Sequence, residues 1–150
     1  MANLDIPFKC LTLNVQGMRN PKKRKALFRQ FNLQNINIIA LQETYLLDED
    51  IEVIEKEWQG TFHLSQGTKR SKGLLTLFDK SFSNSNINIL DKSDRILTSA
   101  ITMNDETIII SNIYSPSDNI DNKITFLKSL RNNIAALLIR KDIKTDNLIL

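Results

Sequence analysis

A single cysteine, Cys10, occurs in 150 residues. That excludes an internal disulfide and any thiolate-rich zinc centre. It also points to an intracellular, reducing setting with no disulfide-linked partner. Glycine and proline are scarce, at 4 and 3 residues, and fall singly where turns need them, so no flexible linker or internal domain boundary is expected. Repeats are absent too. No apolar run approaches the length that crosses a bilayer, which leaves no membrane partner to expect. The opening MANLDIPFKC has neither the basic stretch nor the long apolar core of a secretory signal. Nor is the charge lopsided. The 20 Lys and Arg against 17 Asp and Glu leave +3, which permits a nucleic-acid partner without indicating one. No basic residues interleave with aromatics, so a stacking platform for single strands is not indicated.

What is present is an ordinary globular composition: 41% hydrophobic and 25% charged residues exclude a disordered chain. The pattern alternates strand and helix. Phe8 to Val15 reads as a strand, and Asn20 with Pro21 as the cap and first residue of a helix. That helix has Leu27 and Phe31 four apart, and Lys22, Lys23, Arg24, Lys25 and Arg29 fall largely on its other faces. Ile36 to Leu41 is apolar on both parities except for Asn37, as in a strand covered on both sides. Asp48 is positioned to cap a short helix whose Ile51, Ile54 and Trp58 share a face. Thr61 to Gln66 and Leu74 to Phe78 flank the basic turn GTKRSKG as a hairpin. Strands around Arg95 to Met103 and Thr107 to Tyr114 flank the turn NDE. A long amphipathic helix follows, with Ile120, Ile124, Leu127, Ile134 and Leu138 near one stripe. The closing NLIL reads as the first half of another strand.

Three strand ends carry chemistry. Twenty residues, a helix among them, separate Val15 from Ile36, enough for a parallel crossover that puts both carboxyl ends at one sheet edge. Open α/β sheets bind ligands at that edge. The residues there are Asn14 and Glu43, and a third strand, TIIISNIY, ends in Tyr114 before Ser115 and Pro116. An amide, a carboxylate and a phenol on one rim suit metal-assisted phosphoester cleavage. Hard divalent ions such as Mg2+ take oxygen ligands and need only one or two carboxylates beside water and phosphate. Singly, each residue has a plainer reading: Asn14 as turn chemistry, Glu43 as a solvated loop residue, Tyr114 as a packed ring with a wet hydroxyl.

The ordered segments LNVQGM, IIALQET, GLLTLF and SNIYSPS resemble the endonuclease/exonuclease/phosphatase superfamily, which includes exonuclease III and abasic-site endonucleases. The closest likeness is to the endonuclease domain of non-LTR retrotransposons, from about Lys9 to Leu150. The resemblance implies an α/β fold of the α+β kind, a four-layer α/β/β/α sandwich with two mixed sheets. It implies Asn14 and Glu43 as metal- and phosphate-site residues, Tyr114 as the tyrosine on the scissile phosphate, Mg2+ or Mn2+ as cofactor and DNA as partner. Two departures stand out. Ser117 replaces an asparagine common after the proline of the tyrosine motif. The family's later Gly-Asp-x-Asn and Ser-Asp-His segments, which supply the water-activating aspartate and the His-Asp pair, do not occur before Leu150. The expectation is therefore the N-terminal part of such a domain, inactive alone, with its second sheet largely unbuilt and marginal stability. Competing readings are a degenerate mobile-element fragment, a phosphatase or lipid phosphodiesterase of the same superfamily, and a non-catalytic nucleic-acid-binding module.

The remaining features weigh less. His63 reads as a strand residue with a satisfied ring, and Cys10 as a small core residue. PKKRK at 21–25 reads as a solvated helix face, with phosphate tracking or nuclear localisation as alternatives. Lys69, Arg70 and Lys72, on a hairpin tip beside two glycines, are the better candidates for DNA contact.

Overall fold

The computed structural model describes residues 8–141 and 148–149. Of the NLIL strand, Asn147 and Leu150 lie outside the described residues, as do the first seven residues of the chain. Strands β1 (Cys10–Asn14), β2 (Ile38–Gln42), β3 (Thr61–Ser65) and β4 (Leu74–Phe78) form one sheet in the order β1-β2-β4-β3. In it β1 and β2 run parallel and the other pairings are antiparallel. Strands β5 (Asn86–Lys92), β6 (Ile96–Met103), β7 (Glu106–Ile113) and β8 (Leu148–Ile149) form the second sheet in that order. There β8 is parallel to β7 and the rest antiparallel. Both sheets are mixed, and β2, β3 and β4 pack on β6 and β7.

Helices α1 (Pro21–Leu33) and α2 (Ile51–Glu57) cover the first sheet, and α3 (Ile120–Lys141) covers the second. Three apolar cores separate these four layers. Phe28, Phe31, Ile54 and Trp58 meet Ile39, Leu41, Leu75 and Leu77 under the first pair of helices. Ile38, Phe78 and Phe82 meet Ile101, Ile108 and Ile110 between the sheets. Leu130, Ile134 and Leu138 of α3 meet Ile96 and Ile109. Side chains alternate across a strand, so β2 and β4 send successive residues into two different cores. That is why IIALQ and LLTLF are apolar at almost every position.

Local chemistry explains the element ends. The Asn20 side chain accepts from the Lys22 and Lys23 backbone N–H groups at 2.9 and 3.4 Å, with Pro21 opening α1. The turn between β6 and β7 carries Asn104 and Asp105 at φ 48° and 66°, the left-handed pair that a tight hairpin turn demands.

Several expectations are corrected. The second sheet has four strands rather than being largely unbuilt. Asp48 is not the cap of α2. It opens a 3-10 turn, Asp48–Asp50, in which the Asp50 carboxylate accepts from the Leu47 N–H at 2.9 Å. The buried stripe of α3 runs through Leu130, Ile134 and Leu138, with Phe126 half-buried, whereas Ile120, Ile124 and Leu127 are exposed because the first two turns lie outside the packed face. Cys10 is exposed rather than core, since β1 is an edge strand. PKKRK is not a uniformly solvated face: Arg24 is buried, pairing Nε and Nη2 with the Glu57 carboxylate at 2.6 and 3.0 Å. Lys23 donates to the Val15 carbonyl at 2.5 Å. Lys22 and Lys25 stay exposed. No helix among the described residues is long and apolar enough to cross a membrane.

Candidate active site

The parallel pairing of β1 and β2 sets Asn14 directly beside Gln42, so the next residue, Glu43, leaves the sheet at the same edge. Along β2 the even-numbered residues face the second sheet and the odd-numbered ones face the helices. Simple alternation would send Glu43 toward the helices. Instead Glu43 adopts φ 53°, a left-handed conformation that costs an L-residue about 1–2 kcal/mol and breaks the alternation. Its carboxylate thereby meets residues of the second sheet. Tyr114 lies just past β7, on the parity of Ile108, Ile110 and Asn112, which faces the first sheet. Its hydroxyl donates to Glu43 Oε1 at 2.8 Å. The Asn14 side chain lies beside the carboxylate and helps to keep it ionised, while its Oδ1 accepts from the Gln16 N–H at 3.1 Å. All three residues singled out from the sequence therefore converge on one rim.

Two neighbours were not legible in the sequence. Tyr45, also left-handed at φ 58°, donates to Glu43 Oε2 at 3.3 Å. Its ring lies over Gly17, where an added Cβ would come within 2.7 Å of the ring, so that glycine is needed for the close approach as well as for its φ of 86°. Arg95 stacks its guanidinium 5.4 Å from the Tyr114 ring centre and donates to the Tyr114 carbonyl at 3.2 Å. A tyrosine two residues past Glu43 was the only hint of the first, and Arg95 carried no signal.

The electrostatics are complementary. Hydrogen bonds from Asn14, Tyr114 and Tyr45 hold the Glu43 carboxyl below the usual carboxylate range. The hydrogen bond to Glu43, with partial burial, pushes the Tyr114 phenol up. At neutral pH Glu43 is thus an anion and Tyr114 a donor. To a divalent cation the rim offers one carboxylate and one amide, oxygen donors of the kind Mg2+ takes. Among the described residues no three His, Cys, Asp or Glu side chains cluster as a metal centre.

The basic loop is tied to this rim. The N–H groups of Thr44 and Tyr45 donate to the Gly73 and Lys72 carbonyls at 3.1 and 3.0 Å, and Gly67 N–H donates to the Leu46 carbonyl at 2.9 Å. Gly73, at φ 91°, has no room for a side chain, since a Cβ would sit 2.6 Å from Thr44 Oγ1. Lys69 and Arg70 are exposed at the tip, whereas Lys72 pairs with Asp94 at 2.6 Å. His63 is not at the rim. Its Nδ1 meets Ser99 Oγ at 2.8 Å and its ring stands edge-on to Phe78.

No family model matches the chain. Solved structures do. The endonuclease domain of TRAS1, a telomere-specific non-LTR retrotransposon, aligns with 95% of this chain and 56% of its own length at TM-score 0.60 and 16% identity. The AP endonuclease LMAP from Leishmania major aligns with 89% and 48% at TM-score 0.63 and 20% identity. D. rerio TDP2, complexed with single-strand DNA product, aligns with 85% and 54% at TM-score 0.57 and 16% identity. The chain spans about half the length of these structures. Two mixed sheets packed face to face under helices are thus the fold that this chain shares with these structures and with an endonuclease/exonuclease/phosphatase family protein from Leptotrichia buccalis.

Proposed function

We propose that Asn14, Glu43 and Tyr114 are part of a Mg2+- or Mn2+-dependent phosphodiesterase site acting on DNA, of the retrotransposon-endonuclease kind. The observation that carries this reading is the meeting of an ionised carboxylate with an amide and a protonated phenol across two sheets. Glu43 and Asn14 would hold the cation, which when bound neutralises phosphate charge. Tyr114, kept protonated beside Glu43, donates a hydrogen bond toward a non-bridging oxygen as charge develops there. Lys69 and Arg70, on a loop lashed to the segment that follows Glu43, would take up flanking phosphates. Similarity to an AP endonuclease and to a protein solved with a DNA product supports the same substrate class.

The aspartate, asparagine and histidine segments that the family resemblance implies do not occur among these 150 residues. In this reading these residues by themselves bind DNA without cutting it. Supercoiled-plasmid nicking with Mg2+, beside a DNA-binding titration with and without the cation, tests both points. The expected result is no nicking, together with binding that Mg2+ strengthens and Glu43→Ala makes cation-insensitive. Nicking abolished by Glu43→Ala would establish the site and overturn the inactivity. Salt-sensitive binding indifferent to both Mg2+ and Glu43→Ala would instead identify a non-catalytic binding module.

A further inference from the structure

The motifs LQET and SNIY each contain a residue that the site does not use, Gln42 and Asn112. Both are buried, Asn112 at 1% exposure. Gln42 Nε2 lies across the inter-sheet space from Asn112 Oδ1, to which it donates at 2.8 Å, and within its own sheet is 3.1 Å from Thr12 Oγ1 and from the Ala40 carbonyl. Asn112 Nδ2 reaches back to the Leu41 and Leu75 carbonyls at 3.1 and 3.2 Å and to Thr76 Oγ1 at 3.3 Å. Four strands of two sheets, β1, β2, β4 and β7, are tied at one point. Among the described residues no fully buried polar side-chain atom lacks a partner, and buried polar groups that are satisfied fix one arrangement rather than loosen it.

Its place in the chain gives it a consequence. Gln42 is the residue before Glu43, and Asn112 lies two residues before Tyr114 on the same strand face. Two apolar surfaces slide past one another at little cost because dispersion contacts are non-directional. An amide pair with short bonds in both directions does not permit that slide. The Glu43–Tyr114 bond spans two sheets that share no backbone ladder, and the amide pair is the fixed point immediately behind it.

We infer that Gln42 and Asn112 form a positioning clasp that sets the register between the sheets so that the Tyr114 hydroxyl meets Glu43. The clasp is a property of the pair alone. Its bearing on catalysis rests on the proposed phosphodiesterase reading.

The test is a set of double-mutant cycles on the full chain. Glu43→Ala, Tyr114→Phe and the double variant are compared by denaturant unfolding, first in the natural background and then with Gln42→Met and Asn112→Leu together. That exchange removes both amides together while keeping their volume, so that neither is left buried without the other. In the natural background the coupling between Glu43 and Tyr114 is expected at roughly five-fold in the unfolding equilibrium constant. In the clasp variant it falls to about one-fold, a loss of non-additivity. A merely structural role would lower stability and leave that coupling unchanged, and unchanged coupling overturns the inference. If the exchange prevents folding, Thr76→Val, which removes one acceptor of Asn112 without opening a cavity, is measured in the same way. Reduced coupling there supports the clasp, and full coupling overturns it. Because no step depends on cleavage, the outcome is separable from that of the nicking assay. Lost coupling in a protein whose DNA binding is indifferent to Mg2+ and to Glu43→Ala keeps the clasp and sinks the nuclease reading.

Discussion

The space between the two sheets is built differently at its two ends. At one end Ile38, Phe78, Phe82, Ile101, Ile108 and Ile110 form a closed apolar cluster, with Phe78 and Phe82 edge-on at 6.1 Å. At the other, Thr12, Gln42, Thr76 and Asn112 interlock by hydrogen bonds, and just beyond them the Tyr45 and Tyr114 hydroxyls donate to the Glu43 carboxylate beside Asn14. The apolar end contributes adhesion, roughly proportional to the area buried, and specifies geometry only through packing. The polar end gains less net free energy, because each bond replaces one with water, yet it is direction-specific. Folding is driven from one end of the seam, and the site is aimed from the other.

Three substitutions separate these roles, from the largest effect to the smallest. Phe78→Ala opens a cavity among fully buried rings and is expected to cost about 3–5 kcal/mol of unfolding free energy. Hydrogen exchange would register that loss first in β4 and β6, and a loss below about 1 kcal/mol would mean that the apolar end is not the main adhesive. The second concerns pH. The folded Glu43 carboxyl titrates below its unfolded value, so the unfolded chain takes up the proton first as pH falls. Its contribution to stability is complete above the unfolded pKa of about 4.5 and is lost as pH drops through the folded value. Glu43→Gln should therefore flatten that acid limb of the stability profile while leaving the limb above pH 6 unaltered. An unchanged acid limb would show that the three donors do not hold the carboxylate in solution. The smallest effect is expected from Lys72→Ala. The ion pair with Asp94 is open to solvent on both sides, so its loss should shift stability by under about 1 kcal/mol, while the loop stays anchored through its backbone bonds to residues 44–46. A larger shift would make the pair, rather than the backbone, the anchor of the loop.

Much of this arrangement was legible in the sequence, for a physical reason. Strands buried on both sides write a continuous apolar run, which made β2 and β4 visible. Left-handed turns write Asn, Asp or Gly, which made the β6–β7 hairpin visible. Strand β5 was missed because it is a half-exposed edge: NINILDK alternates weakly, follows the polar SFSNSN, and is broken by an irregularity between Ile89 and Asp91. The α3 stripe was misplaced because the apolar residues of the first turns continue the helical period past the point where the sheet ends beneath them. At the site, strand ends located Asn14, Glu43 and Tyr114. Tyr45, Arg95 and the Gln42–Asn112 pair were invisible, since each depends on a backbone reversal or on a partner about 20 to 70 residues away in the chain.

The reversed backbone at Glu43 also bears on how the position would behave under selection. Any L-residue there bears the left-handed cost that glycine escapes. A saturation library at residue 43, sorted for stability alone, would therefore enrich glycine, which holds neither a cation nor the Tyr114 hydroxyl. Sorted for function, it would return the strained glutamate.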